Sequence, residues 1–181
     1  MKKESILLVA VALVVGVFAG AIVTNSKKDS APGEQSERDR AAAPTNAAVQ
    51  NIKTLKEITT REPDNRNAWF QLAHTYFDLN QSMDAIEAYD KALELDGNDP
   101  HALTDQGIMY RKVGWFEKAI GNFSKANEIK PDHSPSLLNL GFVYRDDLND
   151  IEKAKAAWTR YLEIDSQGEH ADQVKAMIND M

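Results

Sequence analysis

The chain has no cysteine. That absence removes disulfide scaffolds, thiolate metal sites, iron–sulfur clusters, thiol nucleophiles and the lipid-bearing cysteine of a lipoprotein. Basic residues are in deficit, with 21 Lys plus Arg against 28 Asp plus Glu and a net charge of −7. Affinity for phosphate backbones comes from clustered Lys and Arg, so a nucleic-acid partner is not expected. Alternation of apolar and polar residues at period two is missing throughout, and with it any strand signal. Catalytic signatures are missing too. His74, His101, His133 and His170 fall in four different segments, without the i, i+4 pairing of a helical metal site. His133 and His170 read as exposed junction or cap residues. No G-x-S-x-G elbow or phosphate-cradling glycine loop occurs. Asp146, Asp147 and Asp150 lack the central glycine of a calcium loop and read as a solvated, helix-capping turn. Neither enzymatic activity nor a cofactor or metal is expected.

What is present begins with residues 6–23, a stretch free of charged and polar side chains. As a helix it would span roughly 27 Å, enough to cross a hydrocarbon core. Residues 1–5 form a short n-region with Lys2 and Lys3, as on a cytoplasmic flank, although Lys27 and Lys28 beyond the stretch blur the asymmetry. An uncleaved signal-anchor is the expectation. Cleavage at the small-residue site Ala19-Gly20-Ala21 is the alternative, and either outcome exports the rest. Ala12, Gly16 and Gly20 lie four apart on one face, the small-xxx-small spacing of packed membrane helices, so a homo-oligomer stays open. Residues 24–45 contain no large apolar side chain and read as a disordered linker, its ends roughly 25 Å apart.

Residues 46–181 hold 15 basic and 23 acidic side chains, the remainder after the six and five of residues 1–45. They also repeat. Tyr76, Ala85, Tyr89 and Ala92 recur as Tyr110, Ala119, Phe123 and Ala126, each 34 residues later. A third copy carries Leu137, Leu140, Gly141 and Tyr144, then slips by one to Ala154 and Trp158, which predicts a turn one residue longer at RDDLND. Apolar residues recur at three and four, as in Trp69, Leu72, Ala73 and Tyr76, so each unit is a pair of amphipathic helices. Asn80, Gly114 and Asn149 sit between the paired helices, where a left-handed residue ends a helix. Small residues at Ala73, Gly107, Gly141, Ala85, Ala119 and Ala154 let paired helices cross closely. Val49, Ile52, Leu55 and Ile58 make 46–65 the second helix of an incomplete repeat. Ala171, Val174, Ile178 and Met181 form the stripe of a capping helix in 169–181.

On these residues the sequence resembles the tetratricopeptide repeat family, with Trp69, Leu72, Ala73 and Tyr76, then Ala85, Tyr89 and Ala92, matching its pattern. The resemblance implies an all-α solenoid of antiparallel helix pairs with repeats at 66–99, 100–133 and 134–168. It also implies a groove lined by the first helix of each repeat, holding a peptide or amphipathic helix of a partner. Transferred to this chain, the groove residues are Asn67, Phe70, Gln71, His74, Phe77 and Asp78 from the first repeat. His101, Thr104, Asp105, Ile108, Arg111 and Lys112 follow from the second, and Leu138, Asn139, Phe142 and Arg145 from the third. Chaperone-binding members hold a terminal carboxylate there with Lys and Asn. Phe70, Thr104 and Leu138 stand at one such Lys position, which points instead to an apolar strip of Phe70, Phe77, Ile108, Leu138 and Phe142 edged by Arg111 and Arg145. The expected protein is an adaptor tethered to a bacterial inner membrane with its repeats in the periplasm. A self-assembling scaffold is one alternative. Another is similarity in layout to the accessory proteins that hold apocytochrome c during cytochrome c maturation.

Overall fold

The computed structural model describes residues 45–181. The anchor expected at 6–23, its packing face and most of the linker lie outside the described residues. Among those described, no helix is long and apolar enough to cross a membrane, and no strand occurs.

The helices are α1 (Asn46–Arg61), α2 (Arg66–Asp78), α3 (Ser82–Leu95), α4 (Pro100–Lys112), α5 (Phe116–Ile129), α6 (Ser134–Phe142), α7 (Ile151–Ile164) and α8 (Ala171–Asn179). A π-helical turn, Val143–Asp147, extends α6. Their starts follow from local chemistry. Thr45, Asn65, Asp99 and Asp150 each accept a bond from a backbone N–H of the first turn, as from Ala68 at 3.0 Å and Ala102 at 3.1 Å. Inside the hairpins the chain reverses through Asn80, Gly114 and Asn149 at φ 57°, 79° and 52°, the left-handed region that Gly and Asn enter most cheaply.

Helices α2 and α3, α4 and α5, and α6 and α7 pack as pairs, while α3 also meets α4 and α5 meets α6. Ala85, Ala119 and Ala154 are fully buried at the crossings. On the first helices the close approach is to an aromatic ring: a Cβ on Gly107 would come within 2.6 Å of Phe123, and one on Gly141 would overlap the Trp158 indole. Trp158 is fixed by donating from Nε1 to the carbonyl of Leu138 at 3.0 Å.

Three expectations are corrected here. The extra residue of the third repeat does not lengthen the turn, since three residues join the paired helices in every repeat (79–81, 113–115 and 148–150). It is absorbed inside the helix by the π turn, where the N–H of Leu148 bonds the carbonyl of Val143 at 3.1 Å. The turn-closing bond consequently reaches back one residue further, from Asp150 to Tyr144 at 2.7 Å, against Gln81 to Tyr76 at 2.9 Å and Trp115 to Tyr110 at 2.8 Å. Met181 is 39% exposed and lies beyond α8, so the cap is seated by Ala171 and Val174 with Met177 and Ile178 alongside. His133 is not an exposed junction residue but is buried.

Candidate protein-binding groove

First helices approach one another across repeats, α2 with α4 and α4 with α6, whereas the second helices α3, α5 and α7 have no comparable contacts among themselves. The first helices therefore line the crowded inner side, because their side chains have the shorter arc.

On α2 this inner side carries an aromatic ladder. Phe70 stacks on His74 with centroids 6.2 Å apart, and His74 on Phe77 at 5.9 Å. The spacing of three and four along one helix face places these rings in sequence. Cations cap both ends: the Arg66 guanidinium lies 4.9 Å from the centre of Phe70 and the Lys112 ammonium 5.7 Å from that of Phe77. Each cation is anchored on another helix or its cap: Asp99 is the N-cap of α4, and Asn80 lies in the hairpin turn of the first repeat. Arg66 pairs with Asp99, and Lys112 donates to the Asn80 side-chain oxygen at 2.7 Å. Burial pulls the Lys112 pKa below its ordinary value.

Asp105 meets the ladder from α4. It accepts from the Tyr89 hydroxyl at 3.2 Å, and His74 Nδ1 stands 3.9 Å away. Burial dominates and raises the Asp105 pKa, against the Tyr89 bond and the charges of His74 and His101. The third repeat adds Phe142, edge-on to Trp158 at 5.3 Å, with Arg111 and Arg145 each 5.7 Å from its ring centre. These two arginines are not free rim charges. Arg111 bridges repeats by bonding Asp147 and Asp146, the latter at 3.2 Å, and Arg145 bonds Asp146 as well. The apolar strip is thus edged by a neutralised network.

Of the expected groove residues, Asn67, Gln71, His74, Asp78, His101 and Lys112 are exposed, while Phe70, Phe77, Asp105, Ile108, Arg111, Asn139, Phe142 and Arg145 are half-buried. Thr104 and Leu138 are corrected: at 3% and 8% exposure they belong to the interior and offer nothing to a ligand. Arg66 does not stand out in the sequence, and Tyr89 reads there as a repeat position without its bond to Asp105. Arg66 and Asp99 lie 33 apart, one short of the repeat, a spacing that marks a junction pair once the period is known.

Thr104 instead holds His133. Its hydroxyl donates to the Pro100 carbonyl at 2.7 Å, leaving the oxygen to accept from His133 Nε2 at 3.1 Å. That arrangement places a hydrogen on Nε2. Burial, reinforced by His101 and Lys130, pushes its pKa below the ordinary histidine value. The unfolded chain binds that proton more readily. The contribution of neutral His133 is hence complete above the unfolded pKa of about 6.5 and is lost as pH falls from there toward the folded pKa. Denaturant midpoints should drop between about pH 7.5 and pH 5.5, and His133→Gln should flatten that drop; an unchanged slope in the variant would exclude this role.

Models of the tetratricopeptide repeat match residues 67–99, 88–121 and 134–167. The chain belongs to the tetratricopeptide repeat family. The second match runs from the latter half of α3 through α4 into α5. Tetratricopeptide repeat protein 14 of Mus musculus is 40% identical over 58 residues, which is 32% of this chain and 8% of that protein. Small glutamine-rich tetratricopeptide repeat-containing protein 2 of Mycosarcoma maydis is 28% identical over 85 residues, 47% of this chain and 24% of that one. This chain therefore spans less than a quarter of either relative. Among solved structures, MamA superposes with a TM-score of 0.67 at 24% identity, covering 71% of this chain and 75% of its own. The OM64 TPR domain of Arabidopsis gives 0.58 at 15%, covering 72% and 98%. These likenesses establish a shared solenoid fold.

Proposed function

We propose that this protein is a membrane-tethered adaptor of a bacterial envelope, holding a helix or extended segment of a partner polypeptide against the inner face of its repeats. The observation that carries the reading is the ladder of Phe70, His74 and Phe77. It is half open to solvent on a helix whose core positions, Ala68, Leu72, Ala73 and Tyr76, are already filled. Partly exposed aromatic rings beside charged groups are suited to burying a partner's apolar side chains. The apolar stretch 6–23 supports the tether.

A photo-reactive side chain at exposed Gln71 tests the reading in intact membranes. It should cross-link the full-length chain to a second polypeptide. Phe77→Ser with His74→Ala should weaken binding of that polypeptide by more than about tenfold, the scale of central aromatic contacts, at unchanged helicity. Phe142 is the poorer probe, since it also braces Trp158. Cross-links confined to copies of this chain would replace the adaptor by a scaffold.

A further inference from the structure

The outer side carries a second feature that the inner groove does not use. Helix α3 displays Asp84, Glu87, Asp90 and Glu94, all exposed, against a single cation, Lys91, which is spent on Glu94 at 2.8 Å. The corresponding helices are balanced: α5 has two acidic and two basic residues, and α7 two and three. The excess of acid is local to one ridge.

Beside the ridge lies a cleft of about 330 Å³ in which Asp84, Glu87 and Asp90 face Tyr110 and Trp115. Its mouth is apolar, with Trp115 39% and Met83 56% exposed. Within it the ammonium of Lys118 sits 4.4 Å from the Trp115 ring centre and 5.3 Å from that of Tyr110. The other flank of the same ridge repeats the arrangement. There a cleft contains Trp69, Tyr76, Asp84 and Glu87, and the ammonium of Lys56 lies 5.8 Å from the Tyr76 ring centre. Aromatic faces attract cations through their quadrupole, and surrounding carboxylates raise the local concentration of positive charge.

We infer that the α3 ridge and the Trp115 cleft form a docking surface for a basic, lysine-bearing segment of a partner protein. The occupant follows from charge complementarity. The exposed carboxylates of Asp84 and Glu87 line one wall together with Asp90, which accepts from Gln106 at 2.6 Å and Tyr110 at 3.4 Å. An exposed indole forms the other, and among the described residues the only cation lining the cleft is Lys118, which shows that an ammonium fits. An incoming lysine takes the place of Lys118 over Trp115, its aliphatic stem lies along Met83, and its neighbours along the segment meet Glu87 and Asp90. The surface is independent of the inner groove and stands whether or not that groove binds a partner.

The test uses the full-length chain in nonionic detergent and a fluorescent peptide of alternating Lys and Ala, with its lysine-acetylated form as control. The basic peptide should bind, and the acetylated one should bind at least about tenfold more weakly. Trp115→Ala should weaken binding about fivefold, and Asp84→Asn with Glu87→Gln about tenfold or more. Lys118→Ala should strengthen it about threefold, because the internal competitor is gone. Phe77→Ser should leave it unchanged. All these sites except Phe77 are exposed, so melting curves should superpose with the parent and binding can be read directly. Equal binding of the acetylated peptide, indifference to Trp115→Ala, or weakening by Lys118→Ala would each overturn the proposal.

Discussion

Gly141→Ala is expected to lower stability by about 3 kcal/mol, at the upper end of overpacking substitutions. In an unconstrained helix the same change would be favourable by about 1 kcal/mol, since alanine is the better helix former. The clash decides the sign. A methyl group at this position would overlap Nε1 and Cδ1 of the Trp158 indole. That indole cannot swing away without breaking its bond to the Leu138 carbonyl and its edge contact with Phe142. Gly107→Ala should cost less, because the Phe123 edge is met at 2.6 Å and carries no hydrogen bond to lose. Denaturant midpoints of the two variants provide the comparison. Adding Trp158→Leu to Gly141→Ala should give a loss smaller than the sum of the single losses, the signature of two residues sharing one space. Strict additivity would show that the helix crossing is looser than described.

Leu138→Ala is expected to cost about 2 to 3 kcal/mol, as for a buried leucine whose cavity closes only partly. The family resemblance places Leu138 in the ligand groove, yet it is 8% exposed and packed in the core with Leu137, Leu140 and Trp158. Partner binding should therefore fall only in proportion to unfolding. Phe77→Ser should show the reverse, with nearly parental stability and weakened binding. A Leu138→Ala variant with an unchanged midpoint and lost binding would return this residue to the groove.

Much of the fold was legible in the sequence because a solenoid is nearly one-dimensional. Each helix pair repeats the same local chemistry, so the period of 34, the small residues at Ala85 and Ala119 and the left-handed residues at Asn80 and Gly114 carry information residue by residue. Site residues were less legible. A first-helix position faces either the inner surface or the next repeat, and those two directions differ by a fraction of a helical turn that periodicity cannot separate. Phe70 and Leu138 occupy matching positions, but Phe70 is half-buried beneath Arg66 and Leu138 is enclosed.

The sequence by itself determined the all-helical hairpin array, its order and its reversals, since amphipathic period and turn residues act within a few positions of one another. Only the tertiary structure decided where the thirty-fifth residue of the third repeat goes. A longer turn and a π turn close the same hairpin, and the choice depends on keeping Tyr144 and Val143 packed while Asp146 and Asp147 reach Arg111 of the preceding repeat. Tertiary packing also decided the fate of His133. The ring is held by Thr104, 29 residues away, whose hydroxyl accepts from Nε2 while donating to the Pro100 carbonyl. Contacts of that kind are set by how one repeat rotates on the next, a quantity that no local pattern of residues encodes.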